Sequence, residues 1–217
     1  MPPEKIMSEH LEIKIKILQQ AETLFIKFGF KSITMDDISR ELGISKKTLY
    51  QYFEDKNDLV SQAMKQYLED QKETCKGLDT QKFDPITYML NITDSVSSQL
   101  RQLTPGIIYD LKKYFKPTWD SFVEFKTSFV YENVLKNLET GQSKGFYHKD
   151  IDVKLIANLY VHLIDFLVTP EIQHTHKNFK ELHFEIMKYH LRGICTEKGL
   201  KILNEKLKEL KHKINEN

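Results

Sequence analysis

Cysteine is nearly absent from this chain of 217 residues, which has only Cys75 and Cys195. The two show neither the paired spacing of a zinc site nor a redox motif, so no disulfide between them is expected. Long apolar runs are also missing, because the most apolar stretch, residues 155–168, is short and carries three polar side chains. The N-terminus shows no basic segment followed by an apolar one. We therefore expect a reduced cytoplasmic protein without membrane contact.

Apolar residues recur at helical spacing in the segment 33–58. Ile38 and Leu42, and then Leu49 and Phe53, are each separated by four positions, so each pair lines one face of a short helix. These four side chains can close one small core. The pattern predicts two short helices joined by a turn, with a third helix directly behind them.

Capping residues mark the ends of these two helices. Thr34 precedes the first helix with Asp37 three positions later, close to a capping box. Gly43 ends that helix because glycine accepts a left-handed conformation at little cost, and Ser45 can cap the next. The second helix is predicted over Lys46–Phe53. Together they form a helix-turn-helix, a motif that binds duplex DNA.

The polar edge of the second helix offers groups suited to a major groove. Lysine neutralises phosphates or donates to guanine, glutamine pairs with adenine, and tyrosine and threonine hydroxyls reach phosphate oxygens. Any one of them alone indicates a solvated helix face, but six together favour DNA. These six are Lys46, Lys47, Thr48, Tyr50, Gln51 and Tyr52, and Ser45 is added as a candidate contact.

Charge gives little help to this interpretation. The formal net charge is +1, and residues 1–60 hold nine Lys or Arg against ten Asp or Glu. Attraction to DNA must therefore be local, at residues 43–53, which contain two lysines and no acid. Three acids of the first helix are expected to face away from it: Asp36, Asp37 and Glu41.

The segment resembles the signature of the tetracycline-repressor (TetR) family over about residues 14–60. The residues that carry the resemblance are Thr34, Ile38, Leu42 to Ser45, Thr48 to Phe53 and Lys56. It implies an all-α protein with a three-helix DNA-binding domain at residues 1–60 and a helical bundle for effector binding and dimerisation at residues 61–217. In that family the matching positions at the DNA surface are Thr34, Lys46, Lys47, Thr48, Tyr50, Tyr52 and Lys56.

Helices are predicted on both sides of the motif. An apolar stripe from Ile17 to Phe28, ending at Gly29, predicts a helix that supports the motif. Downstream, Asp55 can cap a helix over about 55–71, and Lys56 in its first turn could hold a phosphate together with the helix N-terminus. Proline and glycine punctuation then predicts a bundle of helices at about 85–102, 105–115, 118–140, 150–168, 178–195 and 197–213.

Eight aromatic residues lie between Tyr109 and Tyr131. They could line an apolar pocket, or they could form an ordinary packed core. The family resemblance implies a small, often apolar effector inside the bundle. Candidate ligand contacts are Tyr88, Ile92, Tyr109, Tyr114, Trp119, Phe122, Phe125, Phe129 and His162. The alternative for His162 is a hydrogen bond to Asp165, three positions on.

The segment Val153–Val168 is apolar on more than one face, which predicts burial on two sides, one against a twin helix. We therefore expect a homodimer with a four-helix contact between subunits. Its predicted contacts are Leu159, Leu163, Phe166, Leu182, Ile186, Tyr189 and Ile194.

The sequence and the resemblance together predict a ligand-responsive transcriptional regulator, expected to act as a repressor. It would bind a palindromic operator as a homodimer and release it when an effector binds. An alternative is a helical interaction protein whose degenerate helix-turn-helix no longer binds DNA. An enzyme is not expected, since no phosphate loop or nucleophile elbow is present. No cofactor or metal is expected either, because pairs such as His174 and His176 lack accompanying ligands at a recognised spacing.

Overall fold

The computed structural model describes residues 3–78, 83–99, 105–167, 169 and 179–215. Within them the chain is helical, with no strand beyond one isolated bridge between Tyr147 and Cys195, and the predicted all-α class is confirmed. The first helices are α1 (Pro3–Phe28), α2 (Met35–Glu41), α3 (Lys46–Leu49) and α4 (Lys56–Gly77). They are followed by α5 (Pro85–Gln99), α6 (Pro105–Tyr114), α7 (Lys116–Phe125), a π-helix (Lys126–Val130), α8 (Tyr131–Ser143), α9 (Val153–Leu167), α10 (Phe179–Ile194) and α11 (Glu197–Asn215).

The helix predicted over residues 118–140 differs most from the structure. It begins earlier, at Lys116, ends later, at Ser143, and is interrupted by the five-residue π-helix. A π-turn accommodates an extra residue per turn without changing the residue types, so spacing alone could not reveal it. Phe125 and Phe129 stack across this turn, with ring centroids 5.2 Å apart.

By compactness the chain divides into two units. The first unit comprises residues 1–70 and 102–123, and the second unit comprises residues 71–101 and 124–217. The boundary therefore falls inside α4, between Asp70 and Gln71. The division at residue 60 that we drew from the sequence was functional, and it stays a prediction.

The core of the first unit lies beneath the predicted helix-turn-helix. Ile17, Ala21, Leu24 and Phe25 of α1 are buried there, and three residues of the later segment join the same core: Ile107, Leu111 and Phe115. Phe28, which sequence spacing placed on the same stripe, is half exposed instead. Helices α1 and α6 thus brace the motif from within one unit.

The core of the second unit is built mainly from α5, α8, α9, α10 and α11. Tyr147 is fully buried in it, and its hydroxyl donates to Asn137 Oδ1 at 3.0 Å. Its ring occupies the space beside Gly141, where a β-carbon would come within 2.0 Å of the ring. This glycine is required by close packing rather than by a turn.

Both cysteines lie in the second unit as free thiols. Burial raises the pKa of Cys75 to about 11 and that of Cys195 to about 12, so both stay protonated at neutral pH. In the part of the chain that the structure describes, no helix has the length and apolarity needed to cross a membrane. His174 and His176 lie outside the described residues.

Candidate nucleic-acid interface

The start of α2 has the predicted capping box. Thr34 Oγ1 accepts the backbone N–H of Asp37 at 3.2 Å, and Asp37 Oδ2 accepts the backbone N–H of Thr34 at 2.9 Å. The Thr34 hydroxyl also donates to Asp37 Oδ2 at 2.6 Å. The two bonds that Thr34 donates to this carboxylate lower the pKa of Asp37, and the bond from the hydroxyl is the larger cause. Two orphan helix-end donors are satisfied, and α2 begins at Met35 as predicted.

The turn between α2 and α3 also forms as predicted. Gly43 has φ +65°, a left-handed conformation that glycine adopts without strain. Ser45 is the cap of α3, and its Oγ accepts the backbone N–H of Thr48 at 3.0 Å. The side chains of Ser45 and Thr48 also lie 2.7 Å apart, Oγ to Oγ1. The Thr48 hydroxyl is therefore held toward the start of its own helix.

Helix α3 is shorter than predicted. Sequence spacing extended it to Phe53, but the α-helix ends at Leu49 and residues 50–52 continue as tight turns. Gln51 N donates to Thr48 O and Tyr52 N to Leu49 O, both at 3.1 Å, the i to i+3 pattern of a tightened helix end. The apolar spacing survives because these turns keep roughly the helical direction.

The inner edge of the motif is buried as predicted for three of its four apolar residues. Ile38, Leu49 and Phe53 are almost completely inaccessible to solvent, and Leu42 is partly buried against the same core. Because the inner edge is fixed in the core, the opposite edge of residues 45–52 must point outward. On that edge Lys46, Lys47, Tyr50 and Gln51 are exposed, together with Ser45 and Thr34.

Two candidate contacts are more enclosed. Thr48 is half-buried, and Tyr52 is half-buried with its ring centroid 4.3 Å from that of His10 in α1. Tyr52 also packs against the core of the first unit. Its ring thus anchors the turn after α3.

Asp36 does not face away from the candidate interface, and that expectation is corrected. Its Oδ1 lies 2.6 Å from Lys46 Nζ, and both side chains are about half exposed. The bond to Asp36 raises the pKa of Lys46. The pair forms because α2 and α3 cross closely at the Gly43 turn. One of the two lysines of the interface is therefore held by a carboxylate.

Lys56 lies at the first position of α4. Its ammonium donates to Lys31 O at 3.4 Å and lies 5.8 Å from the centroid of the Phe115 ring. Burial lowers the pKa of Lys56, while the nearby Asp110 and Asp37 carboxylates act in the opposite direction. The side chain is fixed within the first unit, at a helix N-terminus where anions bind readily.

Residues 17–63 match the model of the family described as bacterial regulatory proteins, tetR family. The matched segment contains α2, the turn, α3 and the first part of α4. A relative that spans most of the chain, the uncharacterized HTH-type transcriptional regulator YvaF of Bacillus subtilis (strain 168), is 27% identical over 166 residues, 75% of this chain and 84% of YvaF. The family match over the motif and the relative over most of the chain support a TetR-family transcriptional regulator.

Two further similarities cover different shares of this chain. The biofilm operon icaADBC negative transcriptional regulator IcaR of Staphylococcus aureus (strain Newman) is 38% identical over 53 residues, 24% of this chain and 28% of IcaR. The crystal structure of a gamma-butyrolactone receptor, an ArpA-like protein, superposes with a TM-score of 0.58 at 17% identity, over 89% of this chain and 93% of the receptor. The second similarity concerns the fold.

The candidate effector residues fall in both units. Tyr109, Tyr114, Trp119 and Phe122 belong to the first unit, where Tyr109 and Tyr114 are exposed. The second unit holds Tyr88, which is buried, three half-buried residues, Ile92, Phe125 and Phe129, and the exposed His162.

Within the second unit, a small cleft of about 40 Å³ is lined by Phe83, Pro85, Tyr88, Asn133, Lys136, Asn137 and Thr140. Tyr88 donates its hydroxyl proton to Asn133 Oδ1 at 3.0 Å there. Of the candidate effector residues, this cleft includes Tyr88. Its volume holds no more than about one or two water molecules, so a drug-sized effector would require it to open.

The hydrogen bond expected between His162 and Asp165 does not form. His162 Nδ1 lies 2.9 Å from Asn158 O, whereas Asp165 pairs with the buried ammonium of Lys126 in the π-helix. Spacing of three residues allows a contact within a helix, but a buried lysine from a neighbouring element competes for the carboxylate because its charge must be paired.

A buried polar cluster in the second unit was missed by the sequence reasoning. Ser97 Oγ lies 2.7 Å from His183 Nδ1, and Tyr160 OH lies 3.5 Å from His183 Nε2. The ring of Tyr160 also lies 5.1 Å from that of His190. Ser97 and His183 are separated by 86 residues, so no spacing rule could have joined them.

The candidate dimer residues divide into a surface set and a core set. Leu159, Phe166 and Tyr189 are 50%, 46% and 77% exposed, and Leu163 and Ile186 are partly exposed. Leu182 and Ile194 are buried within the second unit, so their side chains present little surface to a second chain. Leu155 is 64% exposed, one turn before Leu159, and was overlooked.

Proposed function

We propose that this TetR-family regulator binds a palindromic operator as a homodimer and inserts residues 45–52 of each subunit into successive major grooves. The observation that carries the proposal is the fixed orientation of this segment. Leu49 and Phe53 are anchored in the core, which leaves Lys46, Lys47 and Gln51 on the accessible edge. Helix-turn-helix dimers bind half-sites one helical turn apart by this geometry.

The named residues divide into groups that read bases and groups that hold phosphates. Lys46, Lys47 and Gln51 are exposed on the accessible edge, where lysine pairs with guanine and glutamine with adenine. Thr34, Tyr52 and Lys56 lie at helix or turn ends, where backbone N–H groups and hydroxyls suit phosphates. Tyr50, Thr48 and Ser45 complete the proposed interface at its edges.

Binding to the DNA upstream of the protein's own reading frame tests this division. Gln51→Ala is expected to weaken operator binding by about 1 to 3 kcal/mol and to relax the sequence preference at one base position. The preference at the other base positions should stay unchanged. Lys56→Ala should weaken all duplexes together and lower the salt dependence, because it removes a phosphate contact. If both variants bind the operator like the wild type, the assignment of the interface is wrong.

The same experiment separates the alternative of a degenerate helix-turn-helix. A helical interaction protein that had lost its operator would show no preference for any duplex in a selection from random sequences. The repressor hypothesis predicts that the selection enriches a palindromic sequence whose half-site centres lie about 10 base pairs apart.

The dimer is proposed to form through the exposed apolar face of α9. Leu155, Leu159 and Phe166 lie along it, and Tyr189 of α10 is also strongly exposed. Monomeric proteins rarely expose contiguous apolar patches of this kind without an interaction partner. A second copy would present the same face, as two-fold symmetry requires.

A small apolar or aromatic effector is proposed to bind in the second unit and to release the operator. Support comes from the aromatic and apolar side chains of that unit, Tyr88, Ile92, Phe125 and Phe129, and from the receptor of similar fold, which is named for a gamma-butyrolactone. An effector can release DNA only if it binds the DNA-free conformation more tightly than the DNA-bound one. We expect a coupling free energy of about 1 to 3 kcal/mol between effector binding and operator binding. Adding gamma-butyrolactones of increasing acyl length to a preformed operator complex tests release. Tyr88→Ala should abolish the response without changing operator affinity.

A further inference from the structure

A row of lysines and tyrosines extends from Lys56 along the surface of the first unit. Lys56 Nζ donates to Lys31 O at 3.4 Å, and Lys31 Nζ in turn donates to Tyr114 OH at 3.4 Å. Lys113 lies 5.4 Å from the Tyr114 ring and donates to Tyr109 OH at 2.6 Å. We call Lys31, Tyr109, Lys113 and Tyr114 the basic strip. It begins at a proposed phosphate contact and runs onto α6.

The basic strip is open to solvent. Tyr109 and Tyr114 are 54% and 42% exposed, and both lysines are exposed as well. Exposed aromatic side chains that lie close together, unlike scattered ones, are typical of interaction surfaces. Lysines near the C-terminal end of α6 interact favourably with the helix dipole, but that effect does not explain why two tyrosine hydroxyls accompany them.

The acids near the basic strip are already engaged. Asp110 Oδ2 accepts the backbone N–H of Lys31 at 3.0 Å and lies 3.5 Å from the position a β-carbon of Gly29 would take. Gly29 has φ +86°, and the carboxylate holds this turn in place. The negative charge of Asp110 also interacts with the Lys56 ammonium and acts to raise its pKa. Asp120 pairs with Lys116 at 2.7 Å.

The hydrogen bond to the Tyr109 hydroxyl, first among the causes, raises the pKa of Lys113, so this ammonium remains charged at any physiological pH. Lys31 has its backbone groups engaged by Asp110 and Lys56, which leaves its side chain for the surface. Ammonium and phenol groups alternate along the strip. This combination matches the donors that contact phosphate oxygens of a duplex.

We propose that the basic strip contacts the phosphate backbone of duplex DNA outside the segment read by residues 45–52. This inference rests on the proposed DNA-binding function and extends it to the flanks of the operator. The contacts would be independent of sequence, since phosphates carry no base information. They would place two lysines, Lys31 and Lys113, against DNA, although residues 1–60 as a whole are near neutral.

Duplex length provides the decisive experiment. Wild type and the double variant Lys31→Ala/Lys113→Ala are titrated against two operators, one trimmed to the palindrome and one with about ten added base pairs on each side. The variant should bind the extended duplex roughly ten-fold more weakly than the wild type, and its log K against log salt slope should fall by about 0.9 for each phosphate that is no longer neutralised. On the trimmed duplex the two proteins should bind almost equally.

Matched variants exclude trivial explanations. Lys208→Ala removes an exposed lysine from α11 in the second unit and should leave both affinities unchanged, whereas Lys31→Arg/Lys113→Arg should restore the wild-type result. Both alanine substitutions remove side chains only, so the backbone bonds of Lys31 to Asp110 and Lys56 persist. Unchanged thermal melting of the double variant verifies folding.

The possible outcomes separate the two proposals. If the wild type binds no operator of either length, the proposed function fails. If the wild type binds both and the double variant binds the extended duplex equally well with the same salt slope, the proposed function stands and the basic strip is not a DNA contact. An equal reduction on the trimmed and extended duplexes would also overturn the inference, since the strip would then lie within the core site.

Discussion

The Lys46 ammonium lies 2.6 Å from Oδ1 of Asp36, although both side chains lie at the candidate nucleic-acid interface. In the free protein such a solvent-exposed ion pair contributes little stability, because water and salt screen it. We expect a larger effect on DNA binding, because in the proposed complex a duplex competes with Asp36 for Lys46 and brings phosphates toward the remaining carboxylate. In that complex Asp36 would oppose any DNA whose contacts do not compensate for the lost ion pair.

Replacing Asp36 with Asn should make the regulator bind DNA less selectively. The change frees Lys46 and removes a repulsion, so affinity for a non-operator duplex at low salt should rise about two- to five-fold. Operator affinity should rise less, so the ratio of the two should fall. Fluorescence anisotropy with labelled duplexes measures both quantities.

Glu41→Gln is the matched control for this prediction. Glu41 is an exposed acid of the same helix, and its removal changes the net charge by the same amount. If it increases non-operator binding as much as Asp36→Asn does, the effect is one of overall charge. Weaker binding by Asp36→Asn would contradict the prediction outright.

The parts of the interface that the sequence could predict depend on neighbours in the chain. The capping box of Thr34 and Asp37 spans three residues, and the turn at Gly43 needs only one backbone conformation. Local rules therefore sufficed. These rules could not predict the end of α3 at Leu49, because a helix end that is tightened by i to i+3 bonds keeps the same apolar spacing.

Contacts between distant segments could not be predicted in this way. Asp110 reaches the backbone of Lys31 across 79 residues, and the pairing of Lys126 with Asp165 crosses 39. Each depends on how helices pack, which is decided by the whole core rather than by one segment. The aromatic cluster shows the same limit, since Tyr109 and Tyr114 were grouped with ligand contacts but lie exposed beside lysines.

Charge on the exposed face of α9 should prevent dimerisation. Leu159 is 50% exposed, so Leu159→Lys should fold normally, yet it would bury two like charges at a symmetric interface. Light scattering at micromolar concentration should then give a particle of 25.7 kDa, against twice that mass for the wild type. Leu11→Lys, at a somewhat more exposed position of α1, is the control and should remain dimeric. A dimeric Leu159→Lys would place the interface elsewhere.

Acid should destabilise the second unit through two buried histidines. Burial lowers the pKa of both His183 and His190 to about 4, whereas an unfolded histidine titrates near 6.5. Between these values the unfolded chain binds more protons than the folded one, so stability falls as the pH falls from about 6.5 to about 4. At pH 5.5 the loss relative to pH 7.5 should be about 1 to 1.5 kcal/mol for each histidine.

Urea unfolding at the two pH values measures this loss. His183→Gln removes one titrating ring and should reduce the pH dependence by about half, even if it lowers stability at both pH values. The difference between the two pH values is therefore the informative quantity. A pH dependence that is unchanged in His183→Gln would show that other groups cause it.

Two glycines in helices of the second unit should respond oppositely to the same substitution. In α8, a β-carbon at Gly141 would lie 2.0 Å from the ring of Tyr147, which is fully buried and bonded to Asn137. The ring cannot move away without breaking that bond, so Gly141→Ala should cost about 1 to 3 kcal/mol or more. In α10, a β-carbon at Gly193 would meet nothing within 4 Å, and Gly193→Ala should stabilise by up to about 1 kcal/mol. Urea unfolding of both variants at pH 7.5 compares them directly. Equal effects would mean that Tyr147 does not fill the space beside Gly141, because helix propensity alone favours alanine at both positions.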